Sequence, residues 1–220
     1  MAYPTVDKPY GLKPINLIGG QVFAGATRQR RIASSAASIG YGDPVELTSS
    51  GTISVSTSTT TPPTAGFAGV FLGCSFVSTV TGQPTFSQAW ISGTSVKSGT
   101  YVTAYVADDP NTLFKAVGVS ASLNVSTTSG FTYEDIGANV ALVDESLNTT
   151  TNDSQRGLLL SSVAVTRSLP MRIVDVVEDT AFVSSGTTYY PEVIVKFNAP
   201  YLTSVSLIVG GHAYNNPLGT

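Results

Sequence analysis

Apolar and polar residues alternate over short stretches of this chain, and the 3.6-residue period of a helix is sustained nowhere along its 220 residues. Residues 101–106 (YVTAYV) alternate in this way, as a strand with one buried face does. Similar segments recur at a spacing of about 8–12 residues and are separated by Gly, Pro, Asn, Asp and Ser. The sequence therefore predicts an all-β fold, an antiparallel β-sandwich or barrel of jelly-roll-like type.

Two local patterns are more specific than this general signal. Residues 44–48 and 52–56 flank a Ser-Ser-Gly turn and predict a β-hairpin. Residues 66–76 form an apolar run that is typical of a buried strand. A glycine inside a strand commonly marks a bulge or a close approach of another backbone, and we predict one of these at Gly69 and at Gly73.

The first 33 residues differ from the rest of the chain. Pro4, Pro9 and Pro14 interrupt any regular element, and the apolar residues between them fit neither a helix nor a strand. Of the net charge of −3, this segment contributes +4 and the remainder −7. We therefore predict an extended basic arm that seeks an acidic surface outside the chain (1–33), a β-rich body (34–209) and an irregular C-terminal tail (210–220).

Charge is scarce in the chain and very unevenly spread. Charged residues make up 11% of the sequence, against about 25% in typical globular proteins. Residues 47–96 contain no charged residue at all, so Ser and Thr hydroxyls must hydrate their exposed surface. The acidic balance disfavours nucleic acid as a partner. Because no apolar run approaches the roughly 20 residues of a membrane span, and no leader peptide is recognisable, we expect a protein that is made in a cytoplasm and binds no membrane.

Residues for catalysis or metal binding are few. The single cysteine, Cys74, excludes a disulfide framework and a cysteine-based metal cluster, and we expect it to be buried. The single histidine, His212, lies near the end of the chain, where a catalytic triad is improbable. Adjacent carboxylates occur at Asp108 and Asp109 and in three further pairs, but neighbours on a strand point to opposite faces. A calcium site at such a pair and a β-rich hydrolase with carboxylates from two loops both stay open. The prediction is a protein without catalytic residues or cofactor.

The arginines at positions 28, 30 and 31 suit an interface. They could contact phosphate, but three arginines without interleaved aromatic residues make a poor nucleic-acid surface, and carboxylates of a protein partner match the guanidinium equally well. Tyrosines are frequent in this chain, and tyrosine supplies contact area with a polar tip. Aromatic platforms also bind sugars, which leaves a carbohydrate-binding module as an alternative.

Short segments spread over most of the chain resemble a known group of proteins. These segments are residues 9–14 (PYGLKP), 16–20 (NLIGG), 23–25 (FAG), 69–74 (GVFLGC), 85–88 (TFSQ), 108–110 (DDP), 113–115 (LFK) and 136–139 (IGAN). They resemble virion structural proteins of tailed phages that infect marine and cyanobacterial hosts. A major capsid protein is disfavoured, because the shell fold of these phages needs a long spine helix that the sequence lacks.

The resemblance implies a head decoration or cement protein, synthesised in the bacterial cytoplasm and located on the outer surface of the capsid. Its implied partners are the major capsid protein and, by self-association into a dimer or trimer, further copies of itself. The alternative is a receptor- or glycan-binding β-domain of a phage tail or spike. We expect apolar, aromatic and basic residues of the first 33 to bind the capsid, namely Tyr3, Tyr10, Leu12, Ile15, Leu17, Ile18, Phe23, Arg28, Arg30 and Arg31.

Overall fold

The computed structural model of the chain describes residues 6–33, 35–199, 201–204 and 207–215. Regular structure within these ranges consists of β-strands and short 3-10 turns, which confirms the predicted all-β class. A jelly-roll-like connectivity stays a prediction. The strands are β1 (Lys13–Leu17), β2 (Arg28–Arg31), β3 (Pro44–Leu47), β4 (Ile53–Val55), β5 (Phe67–Val77), β6 (Pro84–Ser87), β7 (Thr103–Ala107), β8 (Thr112–Val119), β9 (Asn139–Val140), β10 (Leu142–Val143), β11 (Gly157–Leu159), β12 (Met171–Val176), β13 (Phe182–Ser184), β14 (Thr187–Tyr189), β15 (Glu192–Phe197), β16 (Tyr201–Ser204) and β17 (Leu207–Val209). The 3-10 turns are Tyr133–Asp135, Leu160–Ser162, Glu178–Thr180 and Ala213–Asn215.

Most strands belong to one of two sheets. Sheet 1 has the order β10-β11-β8-β15-β12-β9, and β1 pairs with β8 beside this path. Sheet 2 has the order β2-β7-β5-β3-β4, and β6 pairs with the far end of β5. Sheet 2 nearly closes into a barrel, because Ile32, just after β2, forms a bridge with Ile53 at the start of β4. The predicted hairpin at residues 44–56 is confirmed as the antiparallel pair of β3 and β4.

Two hydrophobic cores hold the sheets together. Core 1 lies against sheet 1 and contains Phe114, Met171, Val195 and Phe197 among its buried residues. Core 2 belongs to sheet 2 and its connections, with residues such as Val45, Ile53, Trp90 and Ala104. Strand β5 contributes to both, since Phe67 and Val70 belong to core 1, whereas Ala68, Phe71 and Cys74 belong to core 2.

The two glycines of β5 make this double burial possible. Phe67 and Val70 face the same core although strict alternation would place residues three apart on opposite faces. A β-bulge next to Gly69 inserts one extra residue between Phe67 and Val70, so their side chains point to the same side of the strand. A second bulge next to Gly73 has the same effect on Phe71 and Cys74. Both glycines have a φ of 140°, a conformation that favours glycine. At Gly69 a Cβ atom would lie 2.3 Å from the carbonyl oxygen of Ala107, so the predicted bulges and the close approach are both found.

The first 33 residues are where structure and expectation differ most. They do not extend away from the body in the described range, because β1 pairs antiparallel with β8 and β2 pairs antiparallel with β7. Pro14 is tolerated because β1 lies at the edge of sheet 1 and its register shifts between Pro14 and Asn16. The prolines conceal the strand character of β1 in the sequence. The boundary drawn at residue 33 therefore does not separate an arm from a body.

The C-terminal segment also returns to the body. Strands β16 and β17 pair with each other, and the chain then reaches β5, where His212 forms a parallel bridge with Phe67. The backbone N–H of Phe67 donates to the carbonyl oxygen of Gly211 at 2.8 Å. The predicted irregular tail (210–220) is thus in part a docked turn, and its last five residues lie outside the described range.

Replacing Leu12 by Ala tests the integration of the N-terminal segment. Leu12 is 1% exposed and belongs to core 1. Because truncating a buried leucine removes apolar contacts and leaves a cavity, we expect the free energy of unfolding to fall by about 2–5 kcal/mol. Urea unfolding followed by tryptophan fluorescence measures the change. Val22→Ala, at an exposed site in the same segment, is the control and should cost less than about 0.5 kcal/mol; equal costs for the two variants would contradict the assignment.

Candidate interaction surface

The predicted capsid-binding residues are distributed over several environments. Tyr3 lies outside the described residues. Leu12 is buried in core 1 and cannot contact a partner in this fold, so its prediction as a binding residue is wrong. Ile15 and Leu17 are half-buried in β1, and Phe23 is half-buried against core 1. A strand pairing that the sequence did not reveal accounts for these positions.

Tyr10 serves the fold through its hydroxyl. The hydroxyl donates a hydrogen bond to Oε1 of the buried Glu192, and Nζ of Lys115 lies 3.1 Å from the same oxygen. Nζ of Lys13 lies 4.1 Å from the centroid of the Tyr10 ring, which is a cation–π contact. Burial, reinforced by Glu192, raises the pKa of Tyr10. These contacts fasten the residues just before β1 to sheet 1.

The connection between β1 and β2, residues 18–27, is the exposed part of the N-terminal segment. We call it the 18–27 loop. Ile18 is 44% exposed and Val22 is 75% exposed. The loop is anchored by backbone hydrogen bonds, from Leu17 N–H to the Gln21 oxygen at 2.7 Å and from Ile18 N–H to the Asn111 oxygen at 2.9 Å. The loop is therefore anchored at its first residues, and it exposes apolar side chains in the connection from a strand of sheet 1 to a strand of sheet 2.

The arginines of β2 border this loop, but two of them are held within the chain. Nε of Arg28 donates to Oδ2 of Asp108 at 2.5 Å, and the Tyr214 hydroxyl donates to the same oxygen at 2.5 Å. Nη2 of Arg30 donates to the Tyr214 hydroxyl at 2.6 Å. Asp108 raises the pKa of the exposed Arg28. A cleft of about 830 Å³ lies between Arg28, Tyr214 and the turn that carries Asp108.

Arg31 is the arginine most open to a partner. It is exposed, and its guanidinium carbon lies 3.8 Å from the centroid of the Tyr101 ring, itself an exposed side chain. Stacking fixes the plane of the guanidinium and leaves its edge available for a carboxylate. The three arginines predicted as one cluster therefore differ. Arg28 and Arg30 form hydrogen bonds within the chain, whereas Arg31 is exposed and stacks on Tyr101. Tyr101 and Tyr214 are among the tyrosines that the sequence suggested for an interface. Their proximity to these arginines, and that of Asp108, was not predicted, because it depends on pairing across distant parts of the chain.

A buried ionic network lies next to the hairpin of β3 and β4 and was also missed. Arg156 bonds the carbonyl oxygen of Ser56, pairs with Asp144, and has its Nε 3.4 Å from Oδ1 of Asp43. Arg156 and Asp43 are both buried. Burial raises the pKa of Asp43, and the Arg156 charge opposes that rise. The network ties residues from three connections together, and a buried pair of this kind stabilises only while both partners are present.

The remaining candidates for chemistry have structural partners. Cys74 is buried, as predicted, and burial raises the pKa of its thiol to about 11. Asp135 accepts the backbone N–H of Thr132 at 2.7 Å at the start of a 3-10 turn. Oδ1 of Asp109 accepts the backbone N–H of Asn111 at 2.7 Å. In the described part of the chain, no three His, Cys, Asp or Glu residues are grouped so that they could hold a metal ion.

Comparisons of the chain with protein-family models, with curated proteins and with solved structures give no match. Within the described ranges, no helix has the length and apolar character needed to cross a membrane. The surface around the 18–27 loop is accordingly interpreted from its own geometry.

His212 predicts a pH dependence of stability. Burial lowers its pKa from 6.5 to about 4, against the opposing charges of Asp108 and Asp109. Below pH 6.5 the unfolded chain binds a proton that the folded chain excludes. The contribution of neutral His212 is therefore fully present above that pH and is lost as the pH falls toward 4, by up to about 3 kcal/mol.

Urea unfolding at several pH values, from neutral down to about pH 4.5, measures this loss. Other carboxylates titrate in the same window, so the comparison is with His212→Gln, which cannot take up the proton. The free energy of unfolding should fall more steeply for the natural chain than for this variant. Parallel profiles for the two proteins would refute the assignment.

Proposed function

We propose that this chain is a phage capsid decoration protein that binds the outside of the head at capsomer junctions and stabilises it. The resemblance of its short segments to virion structural proteins motivates the proposal. The structural observation that carries it is the 18–27 loop, which exposes Ile18 and Val22 and continues into β2, where Arg31 stacks on Tyr101. An apolar centre bordered by an arginine and tyrosines is the composition of a protein interface.

The uncharged part of the sequence supports the same interpretation. Residues 47–96, which form β4, β5 and β6 with their connections, carry no charge. Among them, Val80 and Phe86 are exposed at the pair of β5 and β6. Interface cores are depleted in charged residues, because removing a charge from water is costly. The exposed residues of this strand pair can therefore contact a capsid or a second copy of the chain without that cost.

In this proposal the segment of residues 1–33 acts as a docked element. The capsid contacts come from the 18–27 loop and from Arg31, while Ile15, Leu17 and Phe23 hold the loop in place from β1 and core 1. Ordering an extended arm on the shell would cost conformational entropy, and a loop that is already anchored avoids most of that cost. If several copies of the chain are linked, repetition of this weak contact over many capsomers raises the overall avidity for the capsid.

A second candidate, a glycan-binding domain of a tail or spike, is favoured by one feature of sheet 2. Residues opposite each other in antiparallel strands share a face, so Phe86, Ser75, Thr103 and Arg31 form a row across β6, β5, β7 and β2. Beside this row, a depression of about 310 Å³ lies over Gly73, between Phe86 and Tyr105. None of its described lining residues is charged. An aromatic wall with hydroxyl and amide groups at the rim suits a neutral saccharide.

The decoration function predicts that capsid binding depends on the 18–27 loop. We expect the double variant Ile18→Ser, Val22→Ser to bind capsids at least about tenfold more weakly, because it removes apolar area from the interface centre. Co-sedimentation with capsids stripped of this protein measures the binding. The matched control is Val165→Ser, Val183→Ser, which changes two exposed valines elsewhere and should bind like the natural chain. Immunogold labelling of virions should place the chain on the head; labelling of the tail alone would contradict the proposal.

The glycan-binding function predicts specific retention on a glycan array. Phe86, 74% exposed, is the residue on which a sugar ring would stack. If this function holds, Phe86→Ala should reduce retention at least about tenfold, since burying one phenylalanine side chain contributes about 1.5–3 kcal/mol. Tyr133→Ala, which removes an exposed aromatic residue away from sheet 2, is the control. Absence of retention of the natural chain on host surface glycans would exclude this candidate.

A further inference from the structure

A second cleft, of about 500 Å³, lies beside the 18–27 loop and shares Ile18 with it. We call it the basic cleft. Its wall includes Arg172 on β12 and Lys196 on β15, and the C-terminal segment contributes His212. None of its described lining residues is acidic, and the other residues of its wall are apolar or uncharged polar. The cleft thus concentrates positive charge in a chain whose net charge is negative.

The two cations are direct neighbours in sheet 1. Arg172 and Lys196 lie opposite each other in the antiparallel pair of β12 and β15, so their side chains project from the same face. Like charges in this position repel each other. Among the residues that the structure describes, neither side chain forms a salt bridge, and the acid nearest in sequence, Asp175, has its Oδ1 on the backbone N–H of Val176. An anion between the two cations would remove the repulsion.

His212 supplies an independent observation. It is 2% exposed, and its Nδ1 accepts the backbone N–H of Tyr214 at 3.3 Å. The neutral ring therefore carries its proton on Nε2, and this buried donor has no hydrogen-bond partner among the residues that the structure describes. An unsatisfied buried donor costs free energy that a bound acceptor recovers. The wall of the cleft thus contains two cations without a described salt bridge and a buried donor without a described acceptor. This combination suits a ligand that is anionic and accepts hydrogen bonds.

Two carboxylates near the cleft have hydrogen-bond partners elsewhere. Asp108 accepts hydrogen bonds from Arg28 and from Tyr214, and Asp109 accepts the backbone N–H of Asn111. Their negative charges act on His212, but neither forms a described salt bridge with Arg172 or Lys196. The same wall also carries Ile18, Pro110 and Ile136, which offer apolar contact to the carbon atoms of a ligand that is larger than an inorganic ion.

We propose that the basic cleft binds a glutamate or aspartate side chain from an acidic segment of the protein that this chain decorates. This inference rests on the proposed function, and it names the chemistry of the partner. A carboxylate can accept from the Arg172 guanidinium and from the Lys196 ammonium together, while the side chain's methylene groups pack on Ile18. Since Ile18 belongs to both surfaces, an acidic segment in the cleft would continue the contact that begins at the 18–27 loop.

The test uses the whole chain and two blocked peptides, hexaglutamate and hexaglutamine. Isothermal titration at low ionic strength should show saturable binding of hexaglutamate alone, weakened by added salt. The double variant Arg172→Gln, Lys196→Gln should lower the hexaglutamate affinity at least about tenfold, because charge-assisted hydrogen bonds are lost. Lys8→Gln, Lys97→Gln removes the same charge at exposed positions outside the cleft and should retain the affinity within about threefold.

Three results would overturn the inference. They are no saturable binding of hexaglutamate, an equal loss of affinity in the two double variants, and tighter binding of inorganic phosphate than of the peptide at the same site. The third would assign the cleft to a small oxyanion instead of an acidic protein segment. Because the titration contains no capsid, its outcome is independent of the sedimentation test. Peptide binding without capsid binding refutes the proposed function, whereas capsid binding that is unchanged in Arg172→Gln, Lys196→Gln refutes the role of the cleft.

Discussion

The burial of β5 on both faces is the constraint on which the rest of the fold depends. One strand supplies Phe67 and Val70 to core 1 and Phe71 and Cys74 to core 2, so both cores depend on its position. A regular strand cannot place residues three apart on one face. The bulges at the two glycines make it possible, and the chain consequently packs a nearly closed sheet against an open one around a single shared strand.

Features that depend on neighbouring residues were predictable from the sequence. The strand character of β5, its irregular glycines and the hairpin of β3 and β4 all follow from local alternation, glycine placement and turn chemistry. The burial of Cys74 follows from its apolar surroundings. Features that depend on register between distant strands were not predictable. The pairing of β1 with β8 joins residues about a hundred positions apart, and the pattern of β1 is obscured by Pro14.

The same distinction explains what was missed at the candidate surfaces. The basic residues of the first 33 form one charged segment along the sequence, but folding separates them. Lys13 packs on Tyr10 in sheet 1, whereas Arg28 pairs with Asp108 beside sheet 2. Meanwhile Arg172 and Lys196, 24 positions apart in the sequence, become direct neighbours through the register of β12 and β15. Counting charges along the sequence therefore does not locate the basic surface, because strand pairing determines which cations become neighbours.

The anchoring of the 18–27 loop lowers the conformational entropy that the proposed attachment to a capsid would cost. An arm that orders only on its partner loses conformational entropy on binding. The 18–27 loop, in contrast, is already anchored by the β1–β8 pairing and by the backbone hydrogen bonds from Leu17 to Gln21 and from Ile18 to Asn111. The apolar area of Ile18 and Val22 can thus contribute to affinity with little offsetting cost. Because β1 also carries the residues that pack beneath the loop, the stability of sheet 1 and the geometry of the loop are linked. A mutation in core 1 that weakens the pairing of β1 should consequently weaken the proposed contact between the 18–27 loop and the capsid, although the mutated side chain takes no part in that contact.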